Sequence, residues 1–282
     1  MKMYIVNAPT RDIGNLVKQI HDAGHEPLIE PAVWAANLSK SEINEILIHK
    51  FDLRKSSLQI GWRDMSIAEV ACTLSHHNVY MKSLESRIAD QQIPEWICVM
   101  EDDITLFPEF FERIAELEEL KLETPTIITL FTRGKRYASR QEAASQMHET
   151  LLLADIPPGQ TCLYLMNKAA RKLATSGAMV SGDTDWPLWA RNCRFYLSYP
   201  WVGVESSEGT LLPVYARSRT QYYLWRIKTI LGLEYWKWFR QRLDYGTYFY
   251  FILRPWLLRI LFRIHIYRSV DANDPNSVWM RK

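Results

Sequence analysis

The sequence predicts a mixed α/β fold in one large domain, followed by a C-terminal basic and aromatic helical segment. Apolar runs with strand character alternate with segments whose apolar residues recur at helical spacing, a pattern typical of this fold class. With 282 residues, 48% of them hydrophobic and 23% charged, the chain can bury a substantial core. Charge and aromatic content change together near residue 217, so we expect one domain at residues 1–216 and a separate segment at 217–282.

The elements predicted up to residue 89 alternate between strand and helix. In chain order they are a strand at residues 4–6, a helix at 11–23, a strand at 27–29, a helix from Ser39 and a long helix from Ser66 to about Ala89. Gly24 closes the first helix. The last two helices begin at capping boxes, in which a serine and a glutamate three residues later satisfy the first helical N–H groups.

The elements predicted after residue 89 continue the pattern. They are a strand at residues 96–100, an amphipathic helix over 110–120, strands at 126–131 and 161–166, a helix at 167–176, and strands near 195–199 and 211–215. The basic and small polar residues at 132–149 indicate a locally basic loop. Such a loop is either an ordinary solvated connection or a segment that closes over phosphates.

Three adjacent carboxylates, Glu101, Asp102 and Asp103, follow the apolar run Trp96–Met100. That run predicts a strand buried on both faces, and ligands bind at the carboxyl ends of such strands in open α/β sheets. A divalent cation that bridges the phosphates of a substrate would relieve the repulsion among the three acids. The alternative is a solvated acidic turn that caps the helix starting near Pro108. The local sequence leaves both interpretations open.

The long helix from Ser66 carries Glu69, Cys72 and His76 at positions i, i+3 and i+7, and therefore on one side. Their simplest roles are structural. Glu69 completes the capping box, and His76 is a histidine bonded to a backbone carbonyl. The functional alternative is that both side chains face a bound substrate.

The turn at residues 181–187 contains Asp183, Asp185 and Trp186. Asp185 shortly before Pro187 fits a helix N-cap. The functional alternative is a general base within reach of an acceptor hydroxyl. Trp186 is either a core residue or a platform for the apolar face of a sugar.

Several function classes lack their signatures in this sequence. It contains no P-loop, GxGxxG or GxSxG motif, and its four cysteines form no CxxC pair or zinc spacing. We therefore expect reduced thiols rather than a metal or disulfide framework. The first residues do not resemble a signal peptide, which predicts a protein that is not exported.

Four blocks of the sequence resemble motifs of glycosyltransferase family 25. They are, in the family's order, Ala68–His76 (similar to the GE-x-GC-x-x-SH helix), Met100–Asp103 (the EDD motif), Cys162–Leu165 with its following helix, and Asp185–Leu188 (a later aspartate motif). The resemblance covers residues 4–216. Ala68 and Ala71 stand where the family usually has glycines.

The resemblance implies a GT-A-like, Rossmann-type nucleotide-sugar-binding domain that uses Mn²⁺ or Mg²⁺ and inverts the anomeric carbon. UDP-galactose is the implied donor, and a lipooligosaccharide or other lipid-linked glycan the implied acceptor. The candidate site residues for such a mechanism are Asp103 with Glu101 or Asp102 for the metal, Asp185 or alternatively Asp183 as the base, and Glu69, His76 and Trp186 around donor and acceptor. Arg11, near the end of the first strand, is a further candidate for the donor. The alternative is a catalytically silent member retained as a membrane-associated binding or assembly protein.

Residues 217–268 contain 11 Lys and Arg, two acidic residues and 15 of the 35 aromatic residues of the chain. No window reaches the roughly 18 charge-free apolar residues of a transmembrane helix. Basic residues interleaved with Trp and Tyr instead predict a helix in the interface of an anionic membrane. We therefore expect a protein on the cytoplasmic face of the inner membrane. An ordinary helical subdomain is the alternative, and nucleic-acid binding would need a module that is not recognisable here.

Overall fold

The structure is a computed structural model that covers most of the predicted α/β domain. The residues that it describes are 1–39, 41–43, 45–46, 67–85, 93–132, 137–138, 149–155, 158, 161–177, 192–206, 257, 267–269, 271 and 278–281. The predicted strand at 211–215, the turn at 181–187 and nearly all of the segment at 217–282 lie outside this part of the chain. The predictions made for them stay predictions.

Among the described elements, strands and helices alternate as far as β3, and the later elements are mostly strands. The strands are β1 (Lys2–Asn7), β2 (Glu26–Pro31), β3 (Trp96–Glu101), β4 (Ile104–Leu106), β5 (Thr126–Thr132), β6 (Tyr137–Ala138), β7 (Leu151–Leu153), β8 (Thr161–Asn167), β9 (Arg194–Ser198), β10 (Gly203–Glu205), β11 (Tyr267–Ser269) and β12 (Trp279–Arg281). The α-helices are α1 (Gly14–Asp22), α2 (Ile67–Leu84), α3 (Phe110–Glu118) and α4 (Lys168–Thr175), and a 3₁₀ turn spans Ala35–Asn37.

The main sheet has seven strands in the order β2-β1-β3-β8-β5-β9-β7. Strand β1 pairs in parallel with both β2 and β3, whereas β8 is antiparallel to its neighbours β3 and β5. The chain runs from β1 outward to β2 and then returns to β3 on the other side of β1. The carboxyl ends of β1 and β3 therefore form a topological switch point, where open α/β sheets bind their ligands.

Helices cover both faces of the sheet. Successive side chains of a strand point to opposite faces, so each buried strand contributes to two separate core clusters. Met3 and Ile5 of β1 belong to the core cluster that contains the apolar residues of α1 and α3. Tyr4 and Val6 belong to the cluster that contains those of α2 and α4. The result is a three-layer, Rossmann-like α/β arrangement whose central strands are buried on both sides, as predicted for residues 96–100.

Asn167 ties the far end of β8 to helix α4. Its side-chain oxygen accepts hydrogen bonds from the backbone N–H of Ala170 at 2.9 Å and of Thr126 at 3.0 Å. The bond from Ala170 caps the N-terminus of α4. The side-chain amide of Asn167 donates to the carbonyls of Leu122 and Thr124. A fully buried polar side chain is thereby satisfied.

A two-stranded ribbon follows the acidic turn. Strand β4 pairs antiparallel with β10, so that Glu205 lies opposite Ile104 and Gly203 opposite Leu106. A Cβ atom on Gly203 would lie 2.9 Å from Cδ2 of Leu163 and 3.1 Å from the Thr105 carbonyl oxygen. The close approach of this ribbon to β8 therefore depends on a glycine.

The structure confirms most of the predicted elements that it describes, with shifts of one to three residues at most of their ends. Helix α2 ends at Leu84, five residues before the predicted end near Ala89. The first helix begins at Gly14 rather than Arg11, and the segment before it is a loop. The Ser39 capping box is formed, since Ser39 N–H donates to Glu42 Oε2 and Glu42 N–H to Ser39 Oγ. Residues 137–138, predicted as loop, form a short strand paired with β12. Within the described ranges, no helix is both long and apolar enough to cross a bilayer.

Candidate functional site

The acidic turn lies at the switch point of the sheet. Strand β3 ends at Glu101, residues Asp102 and Asp103 form the turn, and β4 begins at Ile104. Along β3, Ile97 and Val99 pack in the cluster that includes α2, so strand alternation directs Glu101 toward the same face. The sequence thus folds the three carboxylates onto the edge of the sheet where a ligand is expected.

Arg11 is the positive partner of this turn. The Nη1 atom of Arg11 lies 3.0 Å from Oδ2 of Asp103 and 3.3 Å from Oδ1 of Asp102. Oδ2 of Asp102 also accepts a hydrogen bond of 2.6 Å from the backbone N–H of Ala8, directly after β1. Burial raises the pKa of Asp102, while the Ala8 hydrogen bond and Arg11 act in the opposite direction. Asp102 therefore joins the turn to the loop between β1 and α1.

Glu205 of β10 completes a convergent group of carboxylates. One carboxylate oxygen each from Glu101, Asp103 and Glu205 lies within 4.8 Å of the other two. The backbone N–H of Ser206 donates to the Asp103 carbonyl at 2.7 Å, which fixes the ribbon against the turn. Three converging carboxylates that remain partly exposed fit a hard divalent cation, which prefers oxygen ligands and keeps room for water or phosphate.

His76 of α2 reaches the same group from the other side. Its Nε2 atom lies 3.5 Å from Oε1 of Glu101, and its Nδ1 atom 2.9 Å from the hydroxyl of Tyr164. The Tyr164 hydroxyl lies 2.7 Å from that of Tyr80, also on α2. Burial raises the pKa of both tyrosines, so their hydroxyls stay protonated. His76 is thus bonded to side chains rather than to the backbone carbonyl that the simplest interpretation of the sequence predicts.

Cys162 of β8 lies beneath Glu205. Its thiol donates to Oε2 of Glu205 at an Sγ–O distance of 3.5 Å. Burial, and then the charges of Glu101 and Glu205, raise the pKa of Cys162, so the group is a protonated donor. Like the other three cysteines, it is reduced, in line with the sequence.

The structure brings together five of the residues that the sequence singled out, namely Arg11, Glu101, Asp102, Asp103 and His76. Glu69 lies two turns before His76 on α2 and is 7% exposed, so it is not a surface residue. Asp183, Asp185 and Trp186 lie outside the described residues.

Two residues of the site were missed by the sequence analysis. Glu205 has no local signal, because it reaches the turn through a strand pairing across about 100 residues. Tyr164 is one of several aromatic residues in apolar runs. Only its position on β8, paired with Val99 of β3, brings its hydroxyl to His76.

Comparison with known proteins adds a finding to this geometry. Residues 29–178, more than half of the chain, match the model of glycosyltransferase family 25, described as an LPS biosynthesis protein. The match includes Glu69, His76, the acidic turn and Tyr164. The comparison with curated proteins found no match.

Proposed function

This chain belongs to glycosyltransferase family 25, and on that premise we propose that it is a metal-dependent, inverting hexosyltransferase of lipopolysaccharide or lipooligosaccharide biosynthesis. The observation that carries the proposal is the convergence of Glu101, Asp103 and Glu205 at the switch point of a Rossmann-like sheet. That combination offers a cation site at the sheet edge where nucleotides bind. We further propose that the domain is GT-A-like.

Glu101, Asp103 and Glu205 would hold the divalent cation, Mn²⁺ or Mg²⁺. When bound, such a cation neutralises the negative charge that develops on a diphosphate leaving group. Asp102 has a different role, since the backbone N–H of Ala8 holds its carboxylate and so fixes the conformation of residues 101–103. Its neighbours Glu101 and Asp103 are thereby kept in fixed positions beside the nucleotide.

The loop between β1 and α1 would bind the donor phosphates. In doubly wound folds, the first such loop approaches the phosphates of the nucleotide. Arg11 lies in this loop, within 3.3 Å of two carboxylates of the acidic turn. A guanidinium group there suits a diphosphate, because it offers several N–H donors and keeps its charge at any working pH.

Asp185 is the proposed general base, with Asp183 as the alternative. An inverting transfer needs a carboxylate on the side of the sugar opposite the leaving group. This carboxylate takes the proton of the acceptor hydroxyl as its oxygen attacks the anomeric carbon and the bond to the diphosphate breaks. Trp186 beside it would stack on an apolar sugar face. Glu69 and His76 would contact donor or acceptor from α2.

The donor and the acceptor follow from the family resemblance. We propose galactose, supplied as UDP-galactose, and a hydroxyl of a lipooligosaccharide or other lipid-linked glycan. An acceptor with a lipid anchor would explain a basic, aromatic segment at residues 217–268 that docks on the anionic cytoplasmic face of the inner membrane.

The experiment is a transfer assay with the full-length protein. A panel of UDP-hexoses and truncated lipooligosaccharide acceptors is incubated with and without Mn²⁺, and products are identified by mass spectrometry. We expect Mn²⁺-dependent addition of one hexose, reduced roughly 100-fold or more in Asp185→Asn, which cannot accept the proton. If Asp183→Asn is the inactive variant instead, the base is Asp183. No product with any donor and acceptor, together with no metal-dependent nucleotide binding, would favour the catalytically silent alternative.

A further inference from the structure

We infer that Arg11 is an exchangeable counter-cation: it neutralises the acidic turn before the donor binds, and moves to the donor diphosphate when a divalent cation binds Asp103. The inference rests on the proposed function, because it assigns a second state to a residue of the same site. It adds a specific consequence, which is that Arg11 opposes binding of the metal alone and favours binding of the metal with a nucleotide.

The first observation is that Arg11 and the candidate metal site share a ligand. Asp103 is a member of the carboxylate group formed with Glu101 and Glu205, and its Oδ2 atom lies 3.0 Å from Nη1 of Arg11. A cation bound to Asp103 would stand close to the guanidinium, and two positive groups on one partly buried carboxylate repel each other. Arg11 and the metal therefore each weaken the binding of the other to Asp103.

The second observation is that Arg11 is shared between the two aspartates. The closest approach to both Asp102 and Asp103 is made by the same nitrogen, Nη1, at 3.3 and 3.0 Å. Strong guanidinium–carboxylate pairs are two-pronged and have distances of about 2.7–2.9 Å. The arginine also belongs to a loop rather than to a helix or strand, so its release does not disturb a regular element.

The third observation concerns charge. Glu101, Asp102, Asp103 and Glu205 gather four carboxylates, and Arg11 contacts two of them, Asp102 and Asp103. A divalent cation replaces this single charge with two, and a diphosphate brings new negative charge to the same edge of the sheet. The released guanidinium then has a stronger partner than the one it leaves, because phosphate accepts two-pronged hydrogen bonds.

Arg113 of α3 offers a matched control. Its side chain is 13% exposed, against 18% for Arg11, and it contacts Ser198 and Glu116 rather than the acidic turn. Replacing Arg113 by glutamine removes one partly buried arginine and one positive charge from the same domain. Any effect shared by Arg11→Gln and Arg113→Gln is therefore an effect of general stability or net charge.

The test is calorimetric titration of the full-length wild type, Arg11→Gln, Arg11→Lys and Arg113→Gln with Mn²⁺, and then with UDP at saturating Mn²⁺. We expect Arg11→Gln to bind Mn²⁺ alone about threefold or more tightly than the wild type, since the metal no longer displaces an ion pair. We expect the same variant to bind UDP about tenfold or more weakly. Arg113→Gln should match the wild type in both titrations, and Arg11→Lys should fall between.

Each other outcome overturns the inference. Equal or weaker Mn²⁺ binding by a folded Arg11→Gln would mean that Arg11 supports the metal site instead of competing with it. Unchanged UDP affinity would mean that Arg11 stays on the turn. If neither the wild type nor Arg11→Gln binds Mn²⁺ or UDP, the proposed function fails, and the inference that rests on it fails with it. Thermal unfolding in EDTA and in Mn²⁺ identifies a variant that fails to fold.

Discussion

His76 and Glu101 face each other across the candidate site, with Nε2 of the histidine 3.5 Å from Oε1 of the glutamate. Nδ1 of His76 shares a hydrogen bond of 2.9 Å with the Tyr164 hydroxyl, which shares another of 2.7 Å with the hydroxyl of Tyr80. Two buried tyrosines therefore hold the histidine that faces a proposed metal ligand, the arrangement by which outer residues orient a metal site.

Replacing Tyr164 by phenylalanine tests this chain of hydrogen bonds. The change leaves Nδ1 of His76 and the Tyr80 hydroxyl each without a hydrogen-bond partner, so we expect the free energy of unfolding to fall by about 1–3 kcal/mol. We also expect Mn²⁺ affinity to fall, because His76 is no longer fixed against Glu101. Chemical denaturation and calorimetry measure the two effects.

Tyr4→Phe is the matched control, because the Tyr4 ring lies in the same core cluster as Tyr164 but outside this chain of hydroxyl groups. It should leave Mn²⁺ affinity unchanged. Equal losses of Mn²⁺ affinity in both variants would mean that the tyrosine chain does not act on the site.

Glu205→Gln tests the residue that the fold adds to the acidic turn. The amide keeps the shape of the side chain but removes one of three converging charges, so we expect Mn²⁺ to bind roughly tenfold or more weakly. Glu116→Gln on α3 removes a carboxylate that pairs with Arg113, away from the turn, and should have no such effect. Calorimetric titration with Mn²⁺ compares the two. Unchanged affinity in Glu205→Gln would remove Glu205 from the proposed ligand set.

Gly203→Ala tests the ribbon that positions Glu205. The added Cβ would lie 3.1 Å from the Thr105 carbonyl oxygen, which is backbone and can move away only if the ribbon shifts. We expect a destabilisation of about 1–3 kcal/mol and weaker Mn²⁺ binding. Gly177→Ala is the control, because no atom lies within 4 Å of a Cβ at that position. Urea denaturation of both variants gives the comparison, and equal stabilities would contradict the close approach of β10 to β8.

The basic and aromatic composition of residues 217–268 predicts binding to anionic membranes. We expect the full-length protein to float with vesicles that contain phosphatidylglycerol, and to remain unbound with purely zwitterionic vesicles. Raising the salt concentration to about 1 M should release it, because the Debye length then falls to about 3 Å. A vesicle flotation assay measures the bound fraction. Equal binding to both vesicle types at all salt concentrations would exclude an electrostatic contribution of this segment.

The fold of the described residues could largely be predicted from the sequence because its signals are local. Apolar runs such as Trp96–Met100 are strands buried on both faces, and helical periodicity locates α2 and α3. The site was only partly predictable. The acidic turn is visible as three adjacent letters, whereas the contacts of Arg11 and Glu205 depend on which strands are neighbours. That order arises from pairings far apart in sequence, which no local pattern encodes.

The most direct test of the account is titration of the wild type and Asp103→Asn with UDP, with and without Mn²⁺. We predict that the wild type binds UDP tightly only when Mn²⁺ is present, and that Asp103→Asn, shown to be folded by circular dichroism and thermal unfolding, loses this metal-dependent binding. UDP binding that is independent of Mn²⁺, or unaltered in Asp103→Asn, would contradict the claim that the acidic turn at the end of β3 holds a cation for the donor diphosphate.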